Sequence, residues 1–336
     1  MKRFAVHGPN DVRIDQVEAP EPGPEDVVIK VTACGICGSD IGYARVGGLS
    51  GPSAEPMPLG HEFSGVVERV GAAVKKIRPG QRVVVNPADS VNMIGAGGAG
   101  ALAERILVKR AEAMDAILAM PDTLSFETAA LAEPLAVALH GVHRSGAKPG
   151  NKVVVFGTGC IGLGVVLHLK RLGIDEIVVV DKSDGRLKRA RALGAALTLN
   201  PDRDDIWAEI GQRHGTGSLF GYPYVGSDVF LEVSGAPGVI PEVIANARFN
   251  AHLTVLAVHH TPVEVNFLTA LAKELSFNLS MAYPTEFPEV LGLLARGEID
   301  TKPLVSHRFP FADIMEAFQV AQDREASAKV MVTFPS

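Results

Sequence analysis

Cysteine is scarce in this sequence, and its scarcity excludes one class of protein. Only Cys34, Cys37 and Cys160 occur among 336 residues. Three is too few for a disulfide framework and is an odd number, so a disulfide-rich secreted fold is excluded.

The sequence also lacks an excess of positive charge and any long apolar run. Its formal net charge is −6, which argues against a nucleic-acid partner, because such a partner normally requires a basic face. No apolar run reaches membrane-spanning length, and the start, MKRFAVHGPNDVRI, has no apolar core of a signal peptide. We therefore expect a soluble, cytoplasmic protein without a membrane partner.

Length and composition indicate an ordinary globular protein of two domains. A chain of 336 residues exceeds one typical domain, and each of two domains would be large enough for its own core. Apolar residues make up 47% and charged residues 21%, so disorder is not expected.

The stretch from Lys152 to Asp181 predicts a dinucleotide-binding unit. The run Val153 to Phe156 is typical of a strand buried on both faces, and apolar residues recur at helical spacing from Ile161 to Leu172. A glycine turn lies between them, and a second apolar run ends in Asp181. A glycine turn alone occurs in many α/β proteins, but this order of strand, turn, helix, strand and acid is that of a nucleotide-binding fold.

Each glycine has a predicted role in the glycine turn, Gly157-Thr158-Gly159-Cys160-Ile161-Gly162. The first glycine permits the tight turn, the second lets backbone approach the pyrophosphate, and the third lets helix pack close to strand. The amides at the start of the helix, those of Cys160 and Ile161, are predicted to receive the phosphates.

The residues after the second strand bear on the choice of cofactor. Asp181 is predicted to accept hydrogen bonds from the adenine ribose, and its carboxylate would repel a 2′-phosphate, which favours NAD over NADP. The nearby cations Lys182 and Arg186 soften that preference. Further along, Ser234 follows one predicted strand and Val258 ends another, and both are expected to contact the cofactor.

The first portion of the chain predicts a β-rich domain. Short strand candidates, separated by proline- and glycine-rich turns, cover residues 4–6, 12–15, 27–31, 63–70 and 81–85. A helix is predicted over residues 127–144, interrupted early by Pro134.

Two motifs in this portion carry candidate ligands, CGICGSD from Cys34 to Asp40 and GHE from Gly60 to Glu62. Taken alone, a CxxC pair indicates a metal site, a redox pair or two buried thiols. A single histidine is as well explained by a hydrogen-bonded core residue as by a ligand.

The order of these motifs resembles that of the zinc-containing medium-chain alcohol dehydrogenases. CGICGSD is followed by GHEFSGVVERVG, GQRVVV, LAEPLAVALHGV and then the glycine turn, and this match extends over almost the whole chain. It is most similar to the polyol, butanediol and threonine dehydrogenase branch. The resemblance implies a GroES-like catalytic domain of residues 1–130 and 282–336, and a Rossmann domain with a doubly wound parallel sheet of residues 131–281.

The resemblance also implies a metal-ligand set. Cys37 and His61 would bind one catalytic zinc, with Glu62 and Glu133 as candidates for the remaining protein ligand. Such a zinc acts as a Lewis acid on the alcohol, whose carbon then gives hydride to NAD. Cys34 is expected to be a structural residue.

Two further roles come with the same resemblance. Ser39 matches the hydroxyl that hydrogen-bonds the substrate oxygen and passes its proton outward. Asp40 matches the acid that orients the metal-binding histidine. The family is also expected to form a homodimer or homotetramer.

Three departures from the family pattern stand out. Gly42 replaces a histidine that completes the proton relay in some members, which leaves water, the cofactor ribose or Tyr43. Residues 88–100 contain no cysteine, which excludes the four-cysteine structural zinc site of many members and predicts a flexible glycine-rich loop. No arginine stands in residues 281–285, which weakens a sugar-alcohol assignment relative to a smaller diol.

Beyond Asp181 the α/β alternation continues. Strands are predicted over 197–199, 228–233, 253–258 and 328–334, and helices over 186–193 and 288–296. Residues 215–226 are predicted to form a loop. His259 and His260 are assigned to a solvated strand end in preference to a cofactor contact.

Together these features predict a zinc-dependent oxidoreductase that transfers hydride between NAD and a secondary alcohol, diol or polyol. A threonine-type amino-alcohol dehydrogenase is the alternative among enzymes. A zinc-free NAD-binding sensor or structural protein is the alternative from another class.

Overall fold

The computed structural model describes residues 1–88 and 90–335. The strands are β1 Lys2–Gly8, β2 Asp11–Gln16, β3 Val27–Ile36, β4 Met57–Pro58, β5 Glu62–Val70, β6 Arg82–Val85, β7 Arg105–Val108, β8 Ile117–Ala119, β9 Val153–Phe156, β10 Ile177–Val180, β11 Leu197–Leu199, β12 Thr216–Leu219, β13 Tyr222–Val225, β14 Val229–Glu232, β15 His252–Val255, β16 Ser276–Leu279, β17 Val305–Pro310 and β18 Lys329–Thr333. The helices are α1 Gly38–Val46, α2 Phe126–Ala130, α3 Ala132–Ser145, α4 Cys160–Arg171, α5 Asp184–Ala192, α6 Ile206–His214, α7 Val239–Asn246, α8 Phe267–Ala272, α9 Glu286–Ala295 and α10 Ile314–Gln322. None of these described helices has both the length and the apolar character that a membrane span needs.

The middle of the chain forms a parallel sheet with the strand order β11-β10-β9-β14-β15-β16. All five strand pairs are parallel, and the apolar side chains of its central strands are buried on both faces. The order reverses between β9 and β14, the topological switch point at which a doubly wound sheet binds its ligand. The predicted doubly wound domain is therefore confirmed.

The two ends of the chain share one mainly antiparallel sheet, with the order β17-β18-β3-β5-β6-β8 and with β7 also paired to β3. The last strand, β18, pairs with β3 so that Val330 lies opposite Ile36. This pairing brings the C-terminal residues next to the CGICGSD motif. The residue bounds predicted for the two domains stay a prediction.

Two predicted elements differ from the structure. The helix predicted over 127–144 breaks at Leu131, between α2 and α3, and not at Pro134. Pro134 lies in the first turn of α3, where its missing N–H costs no helical hydrogen bond.

The second difference is the segment 215–226, which was predicted to be a loop and is a β-hairpin. Strands β12 and β13 pair antiparallel from Thr216 opposite Val225 to Leu219 opposite Tyr222. Phe220 and Gly221 form the two-residue turn with positive φ at both positions, the geometry that matches the twist of a hairpin. The absence of the usual Asn-Gly pair concealed this turn in the sequence.

Candidate active site

Cys37, His61 and Glu62 converge at one edge of the mainly antiparallel sheet. Cys37 follows β3 and precedes α1, whereas His61 directly precedes β5. The antiparallel register sets Gly35 opposite Glu62, so the two motifs become neighbours. One ligand atom from each of the three residues lies within 4.8 Å of the others, and no other such His, Cys, Asp or Glu group occurs in residues 1–88 and 90–335.

Two glycines make room for this group. A Cβ at Gly35 would lie 2.1 Å from Oε2 of Glu62, so any side chain there would displace the carboxylate. Gly60 has a φ of +92°, and a Cβ there would meet the backbone N of Leu102 at 2.6 Å and Sγ of Cys34 at 3.1 Å. Cys34 is fully buried and packs beneath the GHE turn, the placement expected of a structural thiol.

The Asp40 carboxylate connects the CGICGSD and GHE motifs through hydrogen bonds. Its side chain is fully buried; Oδ2 accepts a hydrogen bond from the Cys37 amide at 2.8 Å, and Oδ1 accepts one from the Gly60 amide at 3.0 Å. Nδ1 of His61 lies 3.9 Å from Oδ1, so the carboxylate faces the histidine at longer range than a hydrogen bond. Burial raises the pKa of Asp40 against the opposing effects of His61 and the two amides.

Lys329, which the sequence analysis did not single out, completes the polar cluster. Its Nζ lies 2.6 Å from both carboxylate oxygens of Glu62 and donates to the Ile36 carbonyl at 3.0 Å. The side chains of Lys329 and Glu62 are 3% and 1% exposed. Burial lowers the pKa of Lys329, but the charges of Glu62, Cys160 and Cys37 and the hydrogen bond to Glu62 together raise it overall. No local motif marks this lysine, because the pair depends on β18 returning beside β3.

Glu133, in the first turn of α3, lies outside the 4.8 Å group. Burial raises the pKa of its carboxyl to about 7, opposed by the charge of His61 and increased by that of Glu62. Burial, and then the charge of Glu133, raises the pKa of the Tyr283 phenol. Tyr283 belongs to the segment in which the sequence lacks an arginine, so a phenol stands near the metal-ligand candidates.

Ser39 lies in the first turn of α1 and is partly exposed. Tyr43 lies one turn further along the helix, and burial raises the pKa of its phenol. Gly42 faces open space, since a Cβ there would have no neighbour within 4 Å. Because Gly42 has no side chain, Tyr43 carries the next hydroxyl along α1 after Ser39.

The glycine-rich loop, residues 88–100, contacts the metal-ligand group at His61. In the described part of this loop Gly95 has a φ of +66°, and a Cβ there would lie 2.9 Å from Nδ1 of His61. Ile94 is buried, and the Asn92 side chain bonds both the N–H and the carbonyl of Lys109. Asp89 lies outside the described residues. The loop, which contains no cysteine, therefore approaches the His61 ring through Gly95.

The glycine turn has the geometry that its pattern predicts. Gly157 has a φ of +97° and a Cβ there would meet the backbone of Ser234 at 2.8 Å, while a Cβ at Gly162 would lie 1.9 Å from the Gly157 carbonyl oxygen. Gly159, in contrast, would meet only an Arg186 nitrogen, at 4.0 Å. The space beside Gly159 and the start of α4 at Cys160 suit the close approach of a pyrophosphate.

Asp181 holds this turn in addition to its predicted role toward ribose. Its carboxylate accepts hydrogen bonds from the Thr158 amide at 2.6 Å and the Ser183 amide at 2.8 Å. Arg186 lies over the turn and donates from Nε to the Ser327 carbonyl at 2.7 Å. Lys182 is 71% exposed and pairs with Asp202, so of the two predicted cations Arg186 is the one beside the turn.

The loops after β14 and β15 complete the edge of the cofactor cleft. The Ser234 backbone contacts the glycine turn at Gly157. Val258, in the loop after β15, is 64% exposed. The placement of His259 at a solvated strand end is wrong, because its ring is 13% exposed and lies 2.9 Å from Glu232. His260 is exposed as predicted.

The two halves of the site face one another. Arg186, the nearest side chain to Gly159 of the cofactor turn, donates to the Ser327 carbonyl, two residues before the Lys329 that pairs with Glu62. Cys160, at the start of α4, belongs to the same turn. Burial raises the pKa of its thiol to about 12. A thiol, an imidazole and a carboxylate suit a zinc ion, and a Rossmann glycine turn faces them across one cleft. Fold and site together define a zinc-binding, dinucleotide-linked dehydrogenase.

Comparison with known proteins agrees with this class. Residues 23–122 match the alcohol dehydrogenase GroES-like domain, and residues 160–296 match the zinc-binding dehydrogenase family. Human sorbitol dehydrogenase is 34% identical over 334 residues, which cover 94% of this chain and 91% of that protein. The chain belongs to the zinc-containing medium-chain alcohol dehydrogenases, in their polyol and butanediol branch.

Solved structures show the same architecture. The crystal structure of 2R,3R-butanediol dehydrogenase from Bacillus subtilis has a TM-score of 0.86 at 32% identity, covering 100% of this chain and 99% of that one. An alcohol dehydrogenase from Escherichia coli CFT073, solved with NADH, has a TM-score of 0.87 at 27% identity, with 99% of each chain covered. The predicted GroES-like and Rossmann fold is confirmed, and the chain is a zinc-dependent, NAD-linked alcohol dehydrogenase.

Proposed function

We propose that this enzyme oxidises a secondary alcohol within a small diol or a modest polyol to the ketone, with NAD as hydride acceptor. The observation that carries the proposal is a short path of contacts between the glycine turn and the metal-ligand group. Arg186, beside Gly159, donates a hydrogen bond to the Ser327 carbonyl, and Lys329, two residues further on, pairs with Glu62. This path supports a reaction in which a dinucleotide bound at the glycine turn meets an alcohol bound at the metal-ligand group. The names of the similar proteins, sorbitol dehydrogenase and 2R,3R-butanediol dehydrogenase, support a diol or polyol.

The proposed roles of the residues follow from their placement. A zinc ion bound here would supply Lewis-acid polarisation of the hydroxyl group, and NAD would accept the hydride. Cys37, His61 and Glu62 are the proposed protein ligands, because Glu133 lies outside their group. Glu133 then remains the alternative ligand.

The proton leaves through the hydroxyls of α1 in this proposal. Ser39 is proposed to accept a hydrogen bond from the substrate hydroxyl and to pass the proton outward toward Tyr43, one turn further along α1. Because a serine and a phenol are neutral at pH 7, they relay a proton without adding a charge to the cleft.

A single zinc per chain and a preference for NAD are the finer parts of the proposal. Residues 88–100 contain no cysteine, so no four-cysteine site can form there. The Asp181 carboxylate beside the glycine turn would repel a 2′-phosphate. The cysteines are free thiols, which suits a reducing compartment and supports a cytoplasmic location.

We also propose that the enzyme is a homo-oligomer whose dimer contact continues the parallel sheet. β16 is an edge strand, and the preceding α8 exposes Phe267, Leu268 and Leu271 by 74%, 73% and 76%. A second copy related by a twofold axis would pair its own β16 antiparallel with this edge and cover both apolar faces. Sedimentation equilibrium tests this part, since a monomer at all concentrations would exclude it.

One experiment tests the central proposal. Elemental analysis of the purified protein is combined with NADH formation across a panel of diols, polyols and threonine. About one zinc per chain with turnover on a diol or polyol is expected. Turnover on threonine alone would favour the amino-alcohol alternative, and NAD binding without zinc or turnover would favour a sensor or structural protein.

A further inference from the structure

Glu232 is a buried carboxylate at the carboxyl end of β14, with no role in the predicted site. Its side chain is fully buried, and in residues 1–88 and 90–335 no lysine or arginine forms an ion pair with it. A buried carboxylate is costly unless hydrogen bonds or an opposite charge compensate it. Its partners therefore identify what it stabilises.

One oxygen of Glu232 holds the turn that follows the strand. Oε1 accepts hydrogen bonds from the Ser234 amide at 2.8 Å, the Ser234 hydroxyl at 2.5 Å and the Gly235 amide at 2.9 Å. This turn touches the glycine turn, because a Cβ at Gly157 would lie 2.8 Å from both Cα and N of Ser234. The carboxylate thus sets the position of backbone that packs directly against the first glycine.

The other oxygen reaches the neighbouring loop. Oε2 lies 2.9 Å from Nε2 of His259, whose side chain is 13% exposed. Val258 directly precedes His259. The Val258 carbonyl oxygen would lie 3.2 Å from a Cβ at Gly235, and Gly235 has a φ of +70°. The loops after β14 and β15 are therefore joined by one charged hydrogen bond and one close backbone contact.

These loops lie at the edge where the dinucleotide is expected. Strands β9, β14 and β15 are neighbours in the parallel sheet, and ligands of such sheets bind beyond their carboxyl ends at the switch point. We propose that Glu232 and His259 are positioning residues for NAD. They hold Ser234 and Val258 at the spacing that the cofactor requires. This inference rests on the proposed dinucleotide function.

The chain offers a matched pair of histidines for the test. His259→Ala removes the partner of Glu232, whereas His260→Ala changes an exposed neighbour. His259→Gln keeps an amide donor that can reach the carboxylate. Calorimetry measures the Kd of NAD for each variant, and steady-state rates give KM for NAD, KM for the alcohol and kcat.

We expect His259→Ala to raise Kd and KM for NAD about tenfold, because misplaced binding groups lose much of their contribution. At saturating NAD its kcat and its KM for the alcohol should stay within about twofold of wild type, as should the zinc content. His260→Ala should match wild type, and His259→Gln should recover most of the affinity. If His259→Ala fails to fold, Glu232→Gln is expected to weaken NAD binding several-fold with the same KM and kcat pattern.

Two negative results have different meanings. Wild-type protein that binds no NAD would remove the proposed dinucleotide function, and this inference with it. Wild-type protein that binds NAD, with His259→Ala binding it as tightly as His260→Ala, would overturn the inference alone, even if the Tm of His259→Ala fell.

Discussion

The two walls of the cleft differ in the groups that pair with their carboxylates. On the cofactor wall, formed by the loops after β9, β10, β14 and β15, Asp181 and Glu232 accept hydrogen bonds mainly from backbone amides within their own turn and the adjacent one. On the catalytic wall, formed by the CGICGSD and GHE motifs with α3 and β18, Glu62 depends on Lys329, which lies 267 residues away in sequence. Glu133 keeps a carboxyl pKa of about 7.

This difference indicates how each wall is assembled. Backbone amides close to a carboxylate are in place once the strand and its turn have formed, so the cofactor wall is preorganised by local structure. The catalytic wall gathers a thiol, an imidazole and two carboxylates from segments far apart, and such a cluster is suited to a cation. Changes on one wall should therefore alter metal and chemistry, and changes on the other should alter cofactor affinity.

The largest effect is expected from Cys37→Ala. Loss of the thiolate ligand should remove zinc and reduce NADH formation about a thousandfold or more, since Lewis-acid stabilisation supplies several kcal/mol. The Kd of NAD should remain close to wild type, because the cofactor wall is untouched. Cys34→Ala, which changes a buried thiol outside the donor group, is the control and should keep its zinc. Full turnover by Cys37→Ala would end the zinc mechanism.

Lys329→Met tests the long-range pair on the catalytic wall. In chelator-treated protein it should lower the free energy of unfolding by about 3–5 kcal/mol, because the buried Glu62 charge loses its partner. With zinc present the loss should be smaller, since the metal also offsets that charge. Urea unfolding with and without chelator measures both values. Lys182→Met, which breaks an exposed pair, should match wild type in both conditions, and equal losses for Lys329→Met with and without metal would contradict the idea.

Asp181→Ala tests whether the cofactor wall sets the affinity for NAD and the preference for NAD over NADP. The Kd of NAD should rise about tenfold, because a charge-assisted contact to ribose and a support of the glycine turn are both lost. Discrimination against NADP should weaken as the repulsion of its phosphate disappears, while zinc content stays unchanged. Asp202→Ala, which removes an exposed carboxylate paired with Lys182, is the matched control. Unaltered preference for NAD in Asp181→Ala would assign cofactor selection to other residues.

The smallest effect is expected at the contact between the walls, where His168 of α4 hydrogen-bonds through Nε2 to the Leu135 carbonyl of α3 at 3.1 Å. Burial, then the charge of Arg171, lowers the pKa of His168 from 6.5 to about 3. The folded state therefore binds fewer protons than the unfolded state between these values, so stability falls as pH falls from 6.5 toward 3.

His168→Gln keeps a donor for Leu135 but does not titrate. It should resemble wild type at pH 7.5 and be more stable relative to wild type at pH 5.5, by about 1 kcal/mol. Urea unfolding at the two pH values measures the difference. A constant difference across this range would show that His168 does not cause the acid sensitivity.

Several parts of the protein follow from local sequence alone. The glycine turn, the helix that begins at Cys160 and the acid at Asp181 are adjacent in sequence, and their roles depend on backbone geometry within one βαβ unit. The need for glycine at positions 35 and 60 was not predicted, since only the structure shows that a Cβ there would collide with neighbouring atoms. Cys34 and Cys37 could be given different roles only through family resemblance.

Tertiary structure decided the rest, because the remaining contacts join residues with no shared local pattern. Lys329 meets Glu62 only when the last strand pairs with β3, and His259 meets Glu232 only when β15 lies beside β14. Hydrogen bonds and burial of this kind depend on distance in space, which residue type and spacing along the chain do not specify. Local sequence determined which chemistry this protein carries, and the strand order determined which buried charges support it.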